Sequence, residues 1–427
     1  MNVTHTAARD QSAALLPTYS ADTFGVCSTL FELGGMVVIH DPSGCNSTYT
    51  THDEPRWYDH DSLIFISAMT EYDAILGRDD KLIRDVKDAA DTFHPNFICI
   101  IPSQIATLIA TDLPAICRII ERDTHLPTFT LPTNSMQSYD LGIEYALAHL
   151  AEHVAKTCTP PAETSNSRAR VNLLGLTPLD YHWQNALPSF KTFLTTHGFD
   201  FAASWTLDST LEDIENSMNA DVNLVLTKSA LPAANILKER LHIPYIAAVP
   251  YPPLGDEISQ ALREAMKRPS KEKHEPLHHH EPAKNGPVFG LSGRFPWKYL
   301  NPQDLLFPRE MPRQPAITSP SSRAPKQNYI IGEPLSSIYL AHSLQHETGA
   351  TFDILMPPFT ELDLTSTLAS SNLILADPLY EALAPTTAHF ISIPHRACSG
   401  RTYEKQERNL LDPAEWATLL KELQPYL

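Results

Sequence analysis

With 427 residues, 42% of them hydrophobic, the chain is too long for one compact domain and too apolar for a disordered one, so two or three globular units are expected. Against 32 bases stand 50 acids, a formal net charge of -18 that repels phosphate backbones and anionic lipid. No run approaches the roughly 20 apolar residues that span a bilayer, and MNVTHTAARDQSAALLPTY has no basic region followed by an apolar core. Neither nucleic acid nor a membrane is an expected partner, and a cytoplasmic protein is expected.

In the first third, MVVIH (36–40), LIFISA (63–68), NFICII (96–101) and PTFTLP (127–132) have the length and composition of buried strands. Between them DDKLIRDVKDAADTF (79–93) and TDLPAICRIIERDT (111–124) carry the helical period, and SYDLGIEYALAHLAEHVAK (138–156) is a long closing helix. Residues 1–157 thus form a first α/β domain, followed by a polar, proline-containing link. A second domain, 171–266, repeats the pattern with strands VNLLGL, FAASWT, NLVLT and PYIAAV and helices QNALPSFKTFLTTHG and ALPAANILKERLH. From 267 to 327 the composition turns to proline, base and histidine, the mark of a linker or insertion. Its tract His274, His278, His279 and His280 is expected to bind divalent ions only adventitiously. The third domain, 328–427, runs through YIIGE, SSIYLAHSLQHETG, FDILMP, NLILAD and FISIP. Alternation of this kind predicts an α/β chain of three Rossmann-like parallel-sheet domains, with ligand clefts at the carboxyl ends of the strands.

Glycine is scarce, at 15 residues, and proline abundant, at 36. Neither GxxxxGK[ST] nor GxGxxG occurs, so no direct ATP or NAD binding by those loops is expected. The six cysteines Cys27, Cys45, Cys99, Cys117, Cys158 and Cys398 are too sparse for a disulfide framework at this length. Strand MVVIH delivers His40 and Asp41 to a Pro-Ser-Gly turn, and Cys45 follows at the strand mouth, a good place for a metal-ligating thiol.

The stretch HDPSGC (40–45) resembles the His-Gly-Pro-x-Gly-Cys segment of the nitrogenase component 1 family. TEYDAILGRDDKLIRDV (70–86) resembles its Glu-x-Asp-x-x-x-Gly pattern, and IATLIATDLPAI (105–116) a degenerate form of its Cys-x-x-x-Leu-Ile-Gly-Asp-Asp segment. The resemblance implies a nitrogenase-like oxidoreductase component, divergent and not a true nitrogenase. Such a chain accepts electrons from a separate ATP-hydrolysing iron-sulfur reductase and reduces a small-molecule substrate. It further implies Cys45 and Cys27 as metal ligands; Cys99, within the buried strand NFICII, is assigned to the core by its own position. Two thiols per chain half-ligate a four-iron cluster, so the expectation is a [4Fe-4S] cluster shared across a dimer, either a homodimer or a pair with a paralogous component 1 subunit. Near Thr227, where nitrogenases anchor their metal cofactor, there is no thiol.

In that family the loop after the turn cysteine lines the substrate cavity, which makes His52, Asp53, Glu54 and Arg56 candidate catalytic residues. A solvated turn with ordinary ion pairs is the competing reading of this loop. For the whole chain two alternatives stand beside the reductase: a scaffold for metallocluster or cofactor assembly, and a cluster-free α/β binding protein.

Overall fold

The computed structural model describes residues 20–44, 54–157, 168–267, 327–355 and 361–427. Cys45, His52, Asp53, Cys158 and the histidine tract of the 267–327 segment lie outside the described residues.

Among the described residues twelve strands make three four-stranded, wholly parallel sheets. The first contains β1 (Met36–His40), β2 (Leu63–Ile66), β3 (Ile98–Pro102) and β4 (Thr128–Thr130). The second contains β5 (Arg170–Leu174), β6 (Asp200–Ser204), β7 (Val222–Val225) and β8 (Tyr245–Ala247). The third contains β9 (Gln327–Ile331), β10 (Asp353–Leu355), β11 (Ser371–Ala376) and β12 (His389–Ser392). Their orders are β2-β1-β3-β4, β6-β5-β7-β8 and β10-β9-β11-β12, one pattern used three times. In each sheet the first and third strands lie side by side while their connections leave in opposite directions. That is the switch point at which open α/β sheets bind ligands beyond the strand ends.

Fourteen helices accompany these strands among the described residues. With the first sheet go α1 (Asp22–Leu30), α2 (Glu71–Leu76), α3 (Asp79–Phe93), α4 (Gln104–Leu108), α5 (Leu113–Thr124) and α6 (Tyr139–Thr157). With the second go α7 (Ala186–Thr196), α8 (Leu211–Asn216), α9 (Leu231–Leu241) and α10 (Gly255–Lys267), and with the third α11 (Pro334–Thr348), α12 (Glu361–Leu368), α13 (Arg396–Ser399) and α14 (Pro413–Leu423).

Local chemistry explains the boundaries. Thr70 and Asp73 form a reciprocal capping box at the start of α2, which ends on Gly77 at φ 62°. Asp73 is held down to about 2 by the backbone and hydroxyl of Thr70, opposed slightly by burial and helped by Lys81. In α3, Asp79 and Asp80 face the positive end of the helix, and Leu82, Val86 and Ala90 recur every four residues to cover the sheet. Asp112 caps α5 with Pro114 in its first turn. The tight turn before it places Ala110 at φ 55°, a left-handed conformation that suits glycine.

Helices α1 and α6 cross at glycines. A Cβ on Gly25 would stand 2.0 Å from the Tyr139 carbonyl oxygen, and one on Gly142 1.8 Å from that of Asp22. The backbones touch, which seats α1 in the core. Val26, Cys27, Leu30, Ile143, Leu147 and Leu150 belong to one apolar cluster with strand residues of the second sheet. Among the described residues no helix is long and apolar enough to cross a membrane.

Candidate functional site at the strand ends

The first sheet's switch point is closed by its own hydrogen bonds. The His40 ring nitrogen Nδ1 lies 2.9 Å from Ser67 Oγ, which accepts from the Asp41 amide at 3.1 Å, and Ser103 Oγ donates to the His40 carbonyl at 3.0 Å. Burial, the leading influence, pushes the imidazole below its ordinary range. His40 and Asp41 thus stand at the strand mouth.

Cys27 is fully buried in α1. Burial first, and then the nearby Glu54 carboxylate, push its thiol far above the ordinary range. Cys27 is 0% exposed among apolar side chains of its own chain, a setting that does not fit a cluster ligand at a surface shared with a second subunit. Cys99 and Cys117 are buried as well, with thiols raised chiefly by burial. Among the described residues no group of three or more His, Cys, Asp or Glu side chains is arranged to hold a metal ion.

Glu54 and Arg56 do not form a solvated turn. Arg56 is 0% exposed and Glu54 2%. The guanidinium donates to Glu54 Oε1 at 2.7 Å and Oε2 at 3.1 Å, to Glu32 Oε1 at 2.8 Å, to the Ser28 carbonyl at 2.7 Å and to the Thr206 carbonyl at 3.3 Å. It lies 4.5 Å over the Phe31 ring. Because Thr206 follows β6, and Glu32 Oε2 accepts from the Asp208 amide at 2.7 Å, this ion cluster ties the first unit to the second. Its geometry is that of an internal clamp.

A different set of groups meets beyond the strand ends of the second and third sheets. Asp180, six residues beyond β5, accepts from the Tyr139 hydroxyl at 2.5 Å through Oδ1 and from Thr177 at 3.0 Å through Oδ2. The His395 ring nitrogen Nε2 lies 3.1 Å from the same Oδ1. Tyr139 starts α6, Asp180 follows β5 and His395 follows β12, so one carboxylate gathers all three units. Burial alone would lower the His395 pKa, but the hydrogen bond and charge of Asp180, backed by Asp377 and Glu333, more than reverse it and raise the imidazole. Asp377 orients the same turn by accepting from the His395 amide at 2.8 Å.

Glu333 follows β9 and caps α11, its Oε2 accepting from the Ser336 amide at 2.7 Å. Its Oε1 accepts from the Lys228 amide, at the turn entering α9, at 2.8 Å. Burial, then the charge of Asp180, push its carboxyl up to about 7 despite those backbone bonds. Glu144 on α6 is likewise raised to about 7, chiefly by burial. Lys228 Nζ completes the group 3.6 Å from Asp140 Oδ2. An imidazole whose pKa is raised by a hydrogen-bonded carboxylate, with two more carboxyls raised to about 7, can deliver and accept protons.

Sequence reasoning placed Glu333 and Asp377 only as the ends of YIIGE and NLILAD, and missed Asp180 and His395 as site residues. Applying the switch-point rule to the second and third units, and not only to the first, would have found them.

Residues 24–279 match the profile of a family described as nitrogenase component 1 type oxidoreductase. Over 184 residues the chain is 26% identical to the nitrogenase iron-molybdenum cofactor biosynthesis protein NifE of Rippkaea orientalis, covering 43% of this chain and 38% of that one. It is 27% identical over 231 residues to the nitrogenase molybdenum-iron protein alpha chain of Methanothermobacter thermautotrophicus, covering 49% and 47%. It is 26% identical over 176 residues to a light-independent protochlorophyllide reductase polypeptide of Parasynechococcus marenigrum, covering 39% and 33%. The matches thus span between a third and a half of these relatives' length. A solved structure titled nitrogenase Cp1 at pH 5 aligns with a TM-score of 0.49 and 13% identity, over 96% of this chain and 72% of that one.

Proposed function

The chain belongs to the nitrogenase component 1 type oxidoreductase family as a divergent member, and from that premise we propose that it is an oxidoreductase subunit whose substrate lies at the meeting of the second and third sheets. His395 protonates the bound molecule, while a separate ATP-hydrolysing iron-sulfur reductase supplies electrons. The observation that supports this reading is the Tyr139, Asp180 and His395 chain of hydrogen bonds, which draws one residue from each unit to the strand ends.

In this reading Asp180 is a positioning residue. It fixes the orientation of the imidazole and stabilises its charged form, as a buried carboxylate does for a general acid. Glu333 and Glu144 hold further protons within the same group. A [4Fe-4S] cluster, when bound, supplies single-electron storage. Cys45 is the thiolate this chain would offer it, the remaining ligands coming from a second subunit.

A cluster-free binding protein is the second reading, favoured by the burial of Cys27 in the core. Anaerobic purification followed by iron and sulfide analysis, an absorption spectrum and capture of the cognate reductase with an aluminium fluoride nucleotide separates the two. The reductase reading expects coloured, iron-containing protein that forms the trapped complex. Colourless protein that captures no reductase would establish the second reading.

A further inference from the structure

Among the described residues two arginines are almost wholly buried, Arg56 and Arg396, and they differ in how their donors are used. A guanidinium carries five N–H groups, and a buried one left without an acceptor is costly. Arg56 uses Nε, Nη1 and Nη2 on Glu54, Glu32, Ser28 and Thr206. Arg396, 4% exposed at the start of α13, uses Nη2 alone. That nitrogen donates to Glu404 Oε1 at 3.3 Å, while Nε and Nη1 are buried with no hydrogen-bond partner. Glu407 Oε1 stands 2.6 Å from the same Nη2, yet it too has no hydrogen bond, the ion pair lying off the N–H directions. Burial, the leading influence, pushes the Glu407 carboxyl up against the pull of Arg396.

This group lies between two units. The Ala397 amide donates to the Leu179 carbonyl at 3.1 Å, which fixes α13 against the loop after β5. On that loop burial chiefly lowers the His182 imidazole, and the charge of Arg396 adds to it. Glu404, whose side chain is 48% exposed, marks where the group reaches solvent.

Charge and hydrogen bonding are unequally satisfied here. Two carboxylates already face one guanidinium, so a further anion meets repulsion. Donors on Nε and Nη1 and an acceptor on Glu407 Oε1 stay open around it. A neutral group with both a carbonyl oxygen and an N–H answers both needs, as neither a carboxylate nor a ketone does.

We infer that Arg396 and Glu407 form a binding site for a neutral carboxamide or lactam, whose carbonyl oxygen accepts from the guanidinium and whose N–H donates to the Glu407 carboxylate. The site uses none of Tyr139, Asp180 and His395, and it does not depend on the reading of those residues as catalytic.

Benzamide, benzoate and acetophenone share a ring and differ in this head group, and saturation-transfer NMR on the full chain ranks them. Wild type should bind benzamide about tenfold more tightly than benzoate, which adds an anion, or acetophenone, which leaves Glu407 Oε1 unanswered. Arg396→Lys keeps a positive charge opposite Glu407 but deletes the open donors, and should weaken benzamide by about tenfold. Glu407→Met gives an independent arm if Arg396→Lys fails to fold. It removes the acceptor and one of the two carboxylates, so benzamide should fall to the level of acetophenone while benzoate gains. Failure of benzamide to bind wild type, which would mean that water alone answers the open donors, overturns the inference. Benzoate binding to wild type as tightly as benzamide, or benzamide binding unchanged in both variants, overturns it as well.

Discussion

Replacing Arg56 by alanine distinguishes an internal clamp from a cavity-lining cation. The guanidinium is fully buried and gives hydrogen bonds of 3.3 Å or less to Glu54, Glu32, Ser28 and Thr206. Its removal strands the Glu54 and Glu32 carboxylates, whose side chains are 0% and 7% exposed, without their counter-ion. Breaking one half of a buried pair costs about 3–5 kcal/mol, whereas an exposed pair is worth about 0–1 kcal/mol. The packing of Arg56 over Phe31 is lost as well, so the upper half of that range is expected. Urea unfolding followed by tryptophan fluorescence measures it, Trp57 sitting 6.1 Å from the Phe31 ring. Because Arg56 bridges to Thr206, the loss should appear in the transition shared by the first two units and persist at high salt. Arg56→Lys should recover less than half, since an ammonium cannot make the forked contact with Glu54. A loss below about 1 kcal/mol, or one that salt abolishes, would refute the clamp and return Arg56 to the solvated turn.

Ala110→Gly should stabilise the chain by about 0.5–1 kcal/mol in the same assay, because the left-handed backbone at φ 55° suits glycine; no gain would mean the turn is unstrained. Gly142→Ala places a methyl within 1.8 Å of the Asp22 carbonyl and should cost at least about 1–3 kcal/mol by forcing α1 off α6, whereas a variant that melts with wild type would show the crossing to be loose. In the folded chain Cys27 should resist aqueous thiol reagents, and Cys27→Ala should leave the iron content of anaerobically purified protein unchanged; a loss of iron would make Cys27 a ligand after all. Glu333 binds its proton more tightly folded than unfolded, so its contribution to stability is greatest below its unfolded pKa and declines as pH rises from there through about 7. Lowered histidines such as His149, at about 4, act in the opposite direction, so the quantity to follow is wild type minus Glu333→Gln, which should fall across that window; a flat difference would refute it.

The strands were legible because their signal is local. MVVIH, NLVLT and NLILAD are short apolar runs bounded by turn residues, and each lies on an observed strand, β1, β7 and β11. Helix 79–93 was legible to the residue because Asp79, Asp80 and the Leu82, Val86 and Ala90 stripe mark both its start and its face. Helix α1, which holds Cys27, gave no such periodicity, because it is buried on nearly every side between the first sheet and α6. Spacing within HDPSGC could raise the question of Cys27, but its burial depends on a helix more than a hundred residues later.

What the sequence determined by itself was therefore the α/β class, the threefold recurrence and the family, all carried by patterns a few residues long. The tertiary structure alone decided that Arg56 faces inward to Thr206, 150 residues away, and that Asp180 meets His395 across 215 residues. No motif encodes those pairings. They arise because residues beyond the strand ends of different sheets meet in the fold, and only packing fixes which of those side chains then pair.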